Sequence, residues 1–188
     1  LAMPEIKIGL FPDCAATWFF NRLPGRLGLF VALTGATLSA QDALIAGLAD
    51  RAINHEFKNK LFDALTRITD WNQPHAAVDR VLRQYAREHP AGLGESKLLE
   101  HAMTIREATD AATLAGIVAG IRNRAEADDT WLVEAATNLD GGCPVTAHLI
   151  YRQLRDGRYL SLKQAVMREL KMALQCCRHP DFAEGVRA

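Results

Sequence analysis

The sequence lacks an excess of charge of either sign. Its 188 residues include 22 lysines and arginines and 22 aspartates and glutamates, and only 7% of the residues are aromatic. A nucleic-acid-binding surface usually needs a basic stripe interleaved with aromatic side chains, and no such stripe is present. The composition therefore argues against nucleic acid as a partner.

Long apolar runs are also missing. No segment approaches the roughly 18 to 20 consecutive apolar residues that span a bilayer, and the first residues lack the basic and then apolar pattern of a secretory signal. We therefore expect no membrane partner and a soluble, cytoplasmic protein. Hydrophobic residues make up 49% of the chain, which is enough for a core.

The cysteines and histidines form no metal-binding pattern. The four cysteines show no CxxC spacing, and the neighbours Cys176 and Cys177 would point about 100° apart on a helix. The six histidines show no HExxH motif. The sequence predicts free thiols, no metal and no cofactor.

Apolar periodicity predicts a mostly helical chain with two strands, at 1–8 and 48–53. A helix is expected after Pro12, with Asp13 as a possible N-cap, and a last helix is expected to start with a capping box at Asp181. Further helices are predicted at 27–34, 40–46, 55–69, 75–88, 95–105, 110–126, 129–139, 144–155 and 162–178.

Two strands do not form a stable sheet by themselves, because their edges and faces stay unburied. The first residue is not Met, and the last predicted helix begins where the sequence stops. We therefore expect a fragment whose missing N-terminal half is a partner within the same fold. The isolated chain is expected to have negligible turnover.

Two carboxylates, Glu5 and Asp13, flank the turn-forming run Gly-Leu-Phe-Pro at 9–12. Paired carboxylates can share acid, base or nucleophile work if their surroundings separate their pKa values. Spacing alone leaves the alternatives open, since Asp13 could be a structural cap and Glu5 a solvated carboxylate. The arginines at 152, 155 and 158 form a basic helix face that is either solvated or able to contact phosphates.

The stretch AMPEIKIGLFPDCAATWFFNRLPGRLGLFVALTGATLSAQDALIAGLADRAI, at 2–53, resembles the central part of the crotonase (enoyl-CoA hydratase/isomerase) superfamily. The Leu-Thr-Gly, Ala-Gln-Asp-Ala and Ala-Gly-Leu-Ala elements at 33–35, 40–43 and 46–49 are typical of crotonases. The Gly-Leu-Phe-Pro-Asp run at 9–13 and the Asp-Phe-Ala-Glu-Gly-Val-Arg-Ala ending at 181–188 are similar to the 3-hydroxyisobutyryl-CoA hydrolase branch.

The resemblance implies an α+β, mostly helical fragment, the C-terminal part of a crotonase-like fold, which is the ββα spiral shared with ClpP. It implies an end of that core at 1–54 and a helical C-terminal region at 55–188. The substrate would be an acyl-CoA, with coenzyme A as part of the substrate rather than a cofactor, and the pathway valine catabolism.

The resemblance also implies roles for particular residues. Glu5 would attack the thioester carbonyl or activate water, and Asp13 would act on the leaving group or on the water. Gly9, Phe11 and Cys14 would contact the substrate. Backbone N–H groups upstream of Leu1 would supply the oxyanion hole.

The sequence departs from the hydrolase pattern after Asp13, where hydrolases usually carry glycines and this chain reads Cys-Ala-Ala-Thr at 14–17. The added Cβ atoms are expected to narrow the pocket and to exclude a positive φ. Two alternatives stay open: a hydratase or isomerase that uses Glu5 alone, and a non-catalytic helical module that binds a partner through an apolar face. A homo-oligomer is also possible.

Overall fold

The computed structural model describes residues 1–125 and 128–188. The described residues form α-helices and short 3₁₀ helices and no β-strand. Their contacts divide the chain into two compact units: Leu1–Leu38 together with Lys97–Ala188, and Ser39–Ser96. The boundary that the sequence predicts, between 1–54 and 55–188, stays a prediction.

The first unit contains nine α-helices among its described residues: α1 (Ala16–Phe20), α2 (Leu27–Thr34), α6 (Lys97–Glu100), α7 (Ala102–Ala108), α8 (Leu114–Arg122), α9 (Thr130–Asp140), α10 (Pro144–Gly157), α11 (Leu162–Cys176) and α12 (Pro180–Arg187). The second contains α3 (Ala40–Ile45), α4 (Lys58–Thr66) and α5 (Pro74–Glu88). The 3₁₀ helices are Glu5–Ile8, Pro24–Arg26 and His55–Phe57.

Helix α2 lies at the centre of the first unit. It is apolar around its whole circumference, and every residue except Leu29 is buried. A helix of this kind needs neighbours on all sides, and α2 contacts α1, α7, α9 and α10. The predicted bounds at 27–34 are confirmed.

Gly28 allows α2 to approach the end of α1. A Cβ at Gly28 would lie 2.2 Å from the carbonyl oxygen of Phe20 and 2.7 Å from its carbonyl carbon. Neither atom can yield, because both belong to the backbone. This contact fixes the turn that joins α1, next to Asp13, to the central helix.

Gly28→Ala is therefore expected to lower the free energy of unfolding by at least about 1 to 3 kcal/mol, the usual cost of overpacking. The matched control is Gly92→Ala, where a Cβ would meet no atom within 4 Å and stability is expected to stay the same or rise slightly. Urea unfolding followed by circular dichroism measures both. Equal stabilities would contradict the close packing of α1 and α2.

In the second unit, α3 confirms the helix predicted at 40–46, and Ser39 caps it. Ser39 Oγ accepts from Asp42 N at 3.1 Å, and Asp42 Oδ2 accepts from Ser39 N at 2.8 Å, which is a reciprocal capping box. The strand predicted at 48–53 is wrong. Its one paired residue is Ile53, which forms an isolated antiparallel bridge with Pro90.

The strand predicted at 1–8 is also wrong, because its backbone finds other partners. Leu1 and Leu38 exchange two hydrogen bonds of 2.7 Å, Glu5–Ile8 turns into a 3₁₀ helix, and Ile6 O accepts from Cys143 N at 2.9 Å. No sheet edge is left open here, so the argument from orphaned strands to missing sheet partners fails.

Most predicted helices are confirmed with shifted ends. The segment at 95–105 divides at His101 into α6 and α7. Helix α8 begins at Leu114, because Thr113 caps it by accepting from Gly116 N, and the end predicted at 126 lies outside the described residues. The capping box predicted at Asp181 is wrong, since His179 is the N-cap of α12. None of the described helices combines the length and apolarity needed to cross a membrane.

Candidate functional site

Glu5 begins the first 3₁₀ helix and is partly buried. Burial raises the pKa of its carboxyl above the ordinary value. A hydrogen bond with the residue's own backbone N–H partly opposes this rise, and the negative charge of Asp13 adds a smaller increase. Its Oε2 atom is buried and has no hydrogen-bond partner among the described residues. Glu5 thus offers an acceptor oxygen that no described group satisfies.

The chain turns back directly after Glu5. Gly9 has a φ of 68°, and the N–H groups of Gly9 and Leu10 both donate to Glu5 O. A side chain at Gly9 would also meet the Asp181 backbone at 2.7 Å. Asp13 follows this turn in the chain, whereas the Phe11 side chain is fully buried and belongs to the core.

The Asp13 side chain does not cap the helix that follows it. Helix α1 starts at Ala16 with Ala15 as its N-cap, and no side chain of that residue caps it. The interpretation of Asp13 as an N-cap is therefore wrong. The Asp13 carboxylate instead neighbours the Cys14 thiol, and its interaction with the thiol and its charge raise the pKa of Cys14.

The turn after Asp13 keeps the conformation that glycines would favour. Cys14 has a φ of 54° and Ala15 a φ of 72°, both in the left-handed region. The expectation that Cβ atoms here exclude positive φ is wrong. The reason is a set of contacts from distant helices that outweigh the local steric cost.

Two buried side chains make those contacts, and sequence reasoning missed both. Glu169 of α11 accepts from Ala15 N and from Thr17 N, each at 2.7 Å. Gln153 of α10 donates to Pro12 O at 2.7 Å and to Thr17 Oγ1 at 2.8 Å. We call these two residues the turn clamp.

A signal for the turn clamp was present in the sequence. Glu169 occupies the same helical stripe as Ala165 and Cys176, which are buried, and Gln153 occupies the stripe of Ile150 and Leu154. A polar residue within an apolar stripe usually has a specific partner. The pattern indicates that a partner exists without saying which one.

A cavity of about 420 Å³ lies beside the turn at Gly9. It is lined by residues of α10, α11 and α12, apolar at Val145, Leu149 and Met172 and polar at Lys171 and Asp181. Cys14 is exposed and is not among its lining residues. Of the three predicted substrate contacts, Gly9 is the one that lines a described cavity.

A second cavity, of about 760 Å³, contains much of the predicted basic face. Arg155 and Arg158 line it together with Arg26 and Arg106. Arg152 does not line it and pairs with Asp156 at 2.9 Å. The cavity therefore gathers arginines from distant parts of the sequence.

The described residues also contain one group with metal-ligand chemistry, Glu100, His101 and Asp129, whose ligand atoms lie within 4.8 Å of one another. His101 Nε2 lies 2.8 Å from Asp129 Oδ2, and Lys97 Nζ lies 2.7 Å from Glu100 Oε2. Imidazole–carboxylate and ammonium–carboxylate pairs account for this arrangement. We assign no metal to it.

Asp13→Asn tests whether the charge of Asp13 affects the pKa of Glu5. Removing the negative charge at position 13 is expected to lower the pKa of Glu5, although burial keeps it above the ordinary value of 4.5. Carbon-13 NMR of the Glu5 carboxyl against pH measures the change. The control is Asp50→Asn, which removes an exposed carboxylate. An equal Glu5 pKa in both variants would show that the charge of Asp13 does not affect Glu5.

Ala15→Gly tests the strain of the turn. Glycine adopts the left-handed region at little cost, so the variant is expected to gain up to about 1 kcal/mol in the free energy of unfolding. Ala16→Gly, one residue later and inside α1, is expected to lose about 1 kcal/mol. Thermal unfolding of both variants gives the comparison, and a loss of stability in Ala15→Gly would show that the turn is unstrained.

Comparison with known proteins identifies the family. The family described as enoyl-CoA hydratase/isomerase matches residues 1–188, and the chain belongs to it. The chain is 31% identical to the mitochondrial 3-hydroxyisobutyryl-CoA hydrolase of Xenopus tropicalis and 32% identical to that of Homo sapiens. Each match includes the whole chain but 48% and 47% of the relative, so the chain spans about half the length of these curated relatives.

Two solved structures, of a dehydratase and of a hydratase, are similar to this chain, in agreement with the family match. A carnitinyl-CoA dehydratase from Mycobacterium thermoresistibile superposes with a TM-score of 0.81 at 30% identity, over 99% of this chain and 51% of that one. An enoyl-CoA hydratase from Rhodobacter sphaeroides gives 0.71 at 28%, over 100% of this chain and 50% of that one. The predicted fold class, a mostly helical part of a crotonase-like fold, is confirmed, although both predicted strands are wrong.

Proposed function

We propose that the protein is an acyl-CoA thioester hydrolase of the 3-hydroxyisobutyryl-CoA type, in which Glu5 and Asp13 are the catalytic carboxylates. One observation carries the proposal: a half-buried glutamate, Glu5, has an unsatisfied oxygen, and a tight turn separates it from a second carboxylate, Asp13. The names of the curated relatives support the reaction class.

The proposed chemistry begins at the thioester carbonyl. Either Glu5 attacks the carbonyl carbon directly, or it takes a proton from a water that attacks. In both routes the carbon–sulfur bond breaks and its electron pair leaves with the sulfur of coenzyme A as a thiolate. In the direct route a water then hydrolyses the resulting anhydride, which returns Glu5 as a carboxylate.

Asp13 is proposed to orient the water or to assist the leaving group. Both roles need a group on the same side of the turn as Glu5, and the influence of Asp13 on the Glu5 pKa supports that placement. The oxyanion donors are predicted in residues before Leu1, where the resemblance locates them. Coenzyme A enters as part of the substrate.

The proposal extends to substrate contacts. Gly9 borders a cavity large enough to receive an acyl group or part of the pantetheine arm. Cys14 lies next to Asp13, one of the two proposed catalytic carboxylates. Phe11 supports the turn from the core, and direct contact of its ring with substrate stays a prediction.

The wider setting is also a proposal. Hydrolysis of 3-hydroxyisobutyryl-CoA would place the protein in valine catabolism. The sequence predicts a cytoplasmic location, whereas the Xenopus and human relatives carry the word mitochondrial in their names. A homo-oligomer and a completing N-terminal half of the fold stay predictions.

A hydratase or isomerase of the same family is the second candidate. It is favoured by the names of the structural neighbours, a dehydratase and a hydratase. In that reaction Glu5 would act as the acid or base with a partner outside this chain. The position of Asp13 favours hydrolysis, because the pair is complete without that partner.

Thiol release distinguishes the two candidates. The protein that carries this chain, with all residues its gene encodes on either side, is expected to release coenzyme A from 3-hydroxyisobutyryl-CoA. Glu5→Gln and Asp13→Asn are each expected to lower kcat by about 10²- to 10⁴-fold, the usual contribution of such a group. A thiol-reactive dye measures the rate.

The control is Glu107→Gln, which removes an exposed carboxylate on α7 and is expected to keep the rate. Hydration of crotonyl-CoA without thiol release would support the second candidate. Neither reaction, together with binding of another protein through the half-exposed leucines of α11, would support the non-catalytic module.

A further inference from the structure

We propose that Glu169 and Gln153, the turn clamp, are positioning residues that hold the backbone on both sides of Asp13 and so set the position of its carboxylate. The inference rests on the proposed function only where turnover is concerned. Its structural part, that two distant buried side chains set the conformation of the turn, is independent of the reaction.

Glu169 fixes the chain after Asp13. Its side chain lies on α11 and the residue is 4% exposed, and its two oxygens accept from Ala15 N and Thr17 N at 2.7 Å each. These N–H groups belong to the start of α1, which has no side-chain cap of its own. Glu169, which is more than 150 positions away in the sequence, therefore caps the N-terminus of α1.

Gln153 fixes the chain before Asp13. The residue is 1% exposed and lies on α10, and its Nε2 donates to Pro12 O at 2.7 Å and to Thr17 Oγ1 at 2.8 Å. Thr17 is itself fully buried and contacts both members of the clamp. The backbone on each side of Asp13 is thus held by a separate helix.

The clamp sets the direction of the Asp13 side chain. With Pro12 O and Ala15 N held, the intervening backbone takes the left-handed conformation at Cys14. In that conformation the charge of the Asp13 carboxylate raises the pKa of both Cys14 and Glu5. The clamp side chains act through Asp13, and their hydrogen bonds in the structure go to the turn.

The chemistry of the clamp requires these residue types. A carboxylate has two acceptor oxygens, one for each N–H group, whereas the amide of a glutamine would turn a donor toward one of them. At position 153 a donor is needed, because both partners accept. Glu169→Gln and Gln153→Met therefore each break part of the clamp with little change in side-chain size.

The Cys14 thiol reports the position of Asp13. Its pKa is raised first by the hydrogen bond to Asp13, then by the Asp13 charge, by slight burial and by the charges of Glu169 and Glu5. If Asp13 turns away, the pKa of Cys14 falls. Gln153→Met is the decisive variant, because it changes no charge and so alters this pKa only by moving the turn.

The test is alkylation of Cys14 by iodoacetamide against pH in the 188-residue chain, with mass spectrometry to separate Cys14 from the other cysteines. Gln153→Met is expected to shift the midpoint of the reaction to lower pH, in the direction of Asp13→Asn. The exposed Gln84→Met is the control and is expected to keep the midpoint. An unshifted midpoint in folded Gln153→Met overturns the proposal.

A second measurement needs no variant. Hydrogen exchange followed by NMR is expected to show slow exchange of the Ala15 and Thr17 amides, since both donate to a carboxylate of a buried residue. Exchange of either amide at the rate of an unstructured chain overturns the proposal. This result holds even if Glu169→Gln or Gln153→Met fails to fold.

Measuring kcat and KM of the clamp variants tests whether the turn clamp affects the proposed reaction. In the protein that hydrolyses the thioester, Gln153→Met and Glu169→Gln are expected to lower kcat by about 10- to 100-fold with KM within about 3-fold, the effect of a misplaced group. The acid limb of the kcat/KM profile is expected to move to lower pH, because Glu5 no longer feels Asp13.

An unchanged kcat in both clamp variants overturns the positioning role. If the unchanged protein releases no thiol, the proposed function fails, while alkylation and hydrogen exchange still decide whether the clamp holds the turn.

Discussion

The site depends on one carboxylate that receives two backbone N–H groups. Cys14 and Ala15 adopt left-handed conformations, each of which costs a non-glycine residue on the order of 1 to 3 kcal/mol. A hydrogen bond to a charged group contributes about 1.5 to 3 kcal/mol, and Glu169 accepts two of them. The two terms are similar in size. The turn therefore exists because α11 reaches it, and its own residues would favour another conformation.

The hydrogen bonds from Gln153 and Glu169 also connect the packed core to the turn that carries Asp13. Gln153 and Glu169 are buried on α10 and α11, so the packing of these helices sets the distance between the clamp and Thr17. Helix α1 contacts both helices. A change in the packing of α10 or α11 therefore moves the groups that hold the backbone on both sides of Asp13. If Glu5 and Asp13 act as proposed, this is a route by which distant substitutions would alter them.

The sequence could predict the elements that depend on local chemistry. The Ser39 capping box and the bounds of α2 follow from neighbouring residues. The strands at 1–8 and 48–53 failed because β-branched residues suit a strand only if another strand is available, and here Leu38, Cys143 and Pro90 provide the partners. Glu5 and Asp13 could be proposed from a motif. The partners of Gln153 and Glu169 could not be predicted, since their contacts join positions more than 130 residues apart.

The chain carries Cys14 and Ala15 where its resemblance to the hydrolases predicts glycines, and the turn has positive φ at both. A left-handed turn therefore forms here without glycine. What the substitution changes is the surface, since Cys14 adds an exposed thiol beside Asp13. In the proposed site, a different side chain at position 14 would therefore alter the surface beside Asp13, while the hydrogen bonds from Gln153 and Glu169 hold the backbone that carries Asp13.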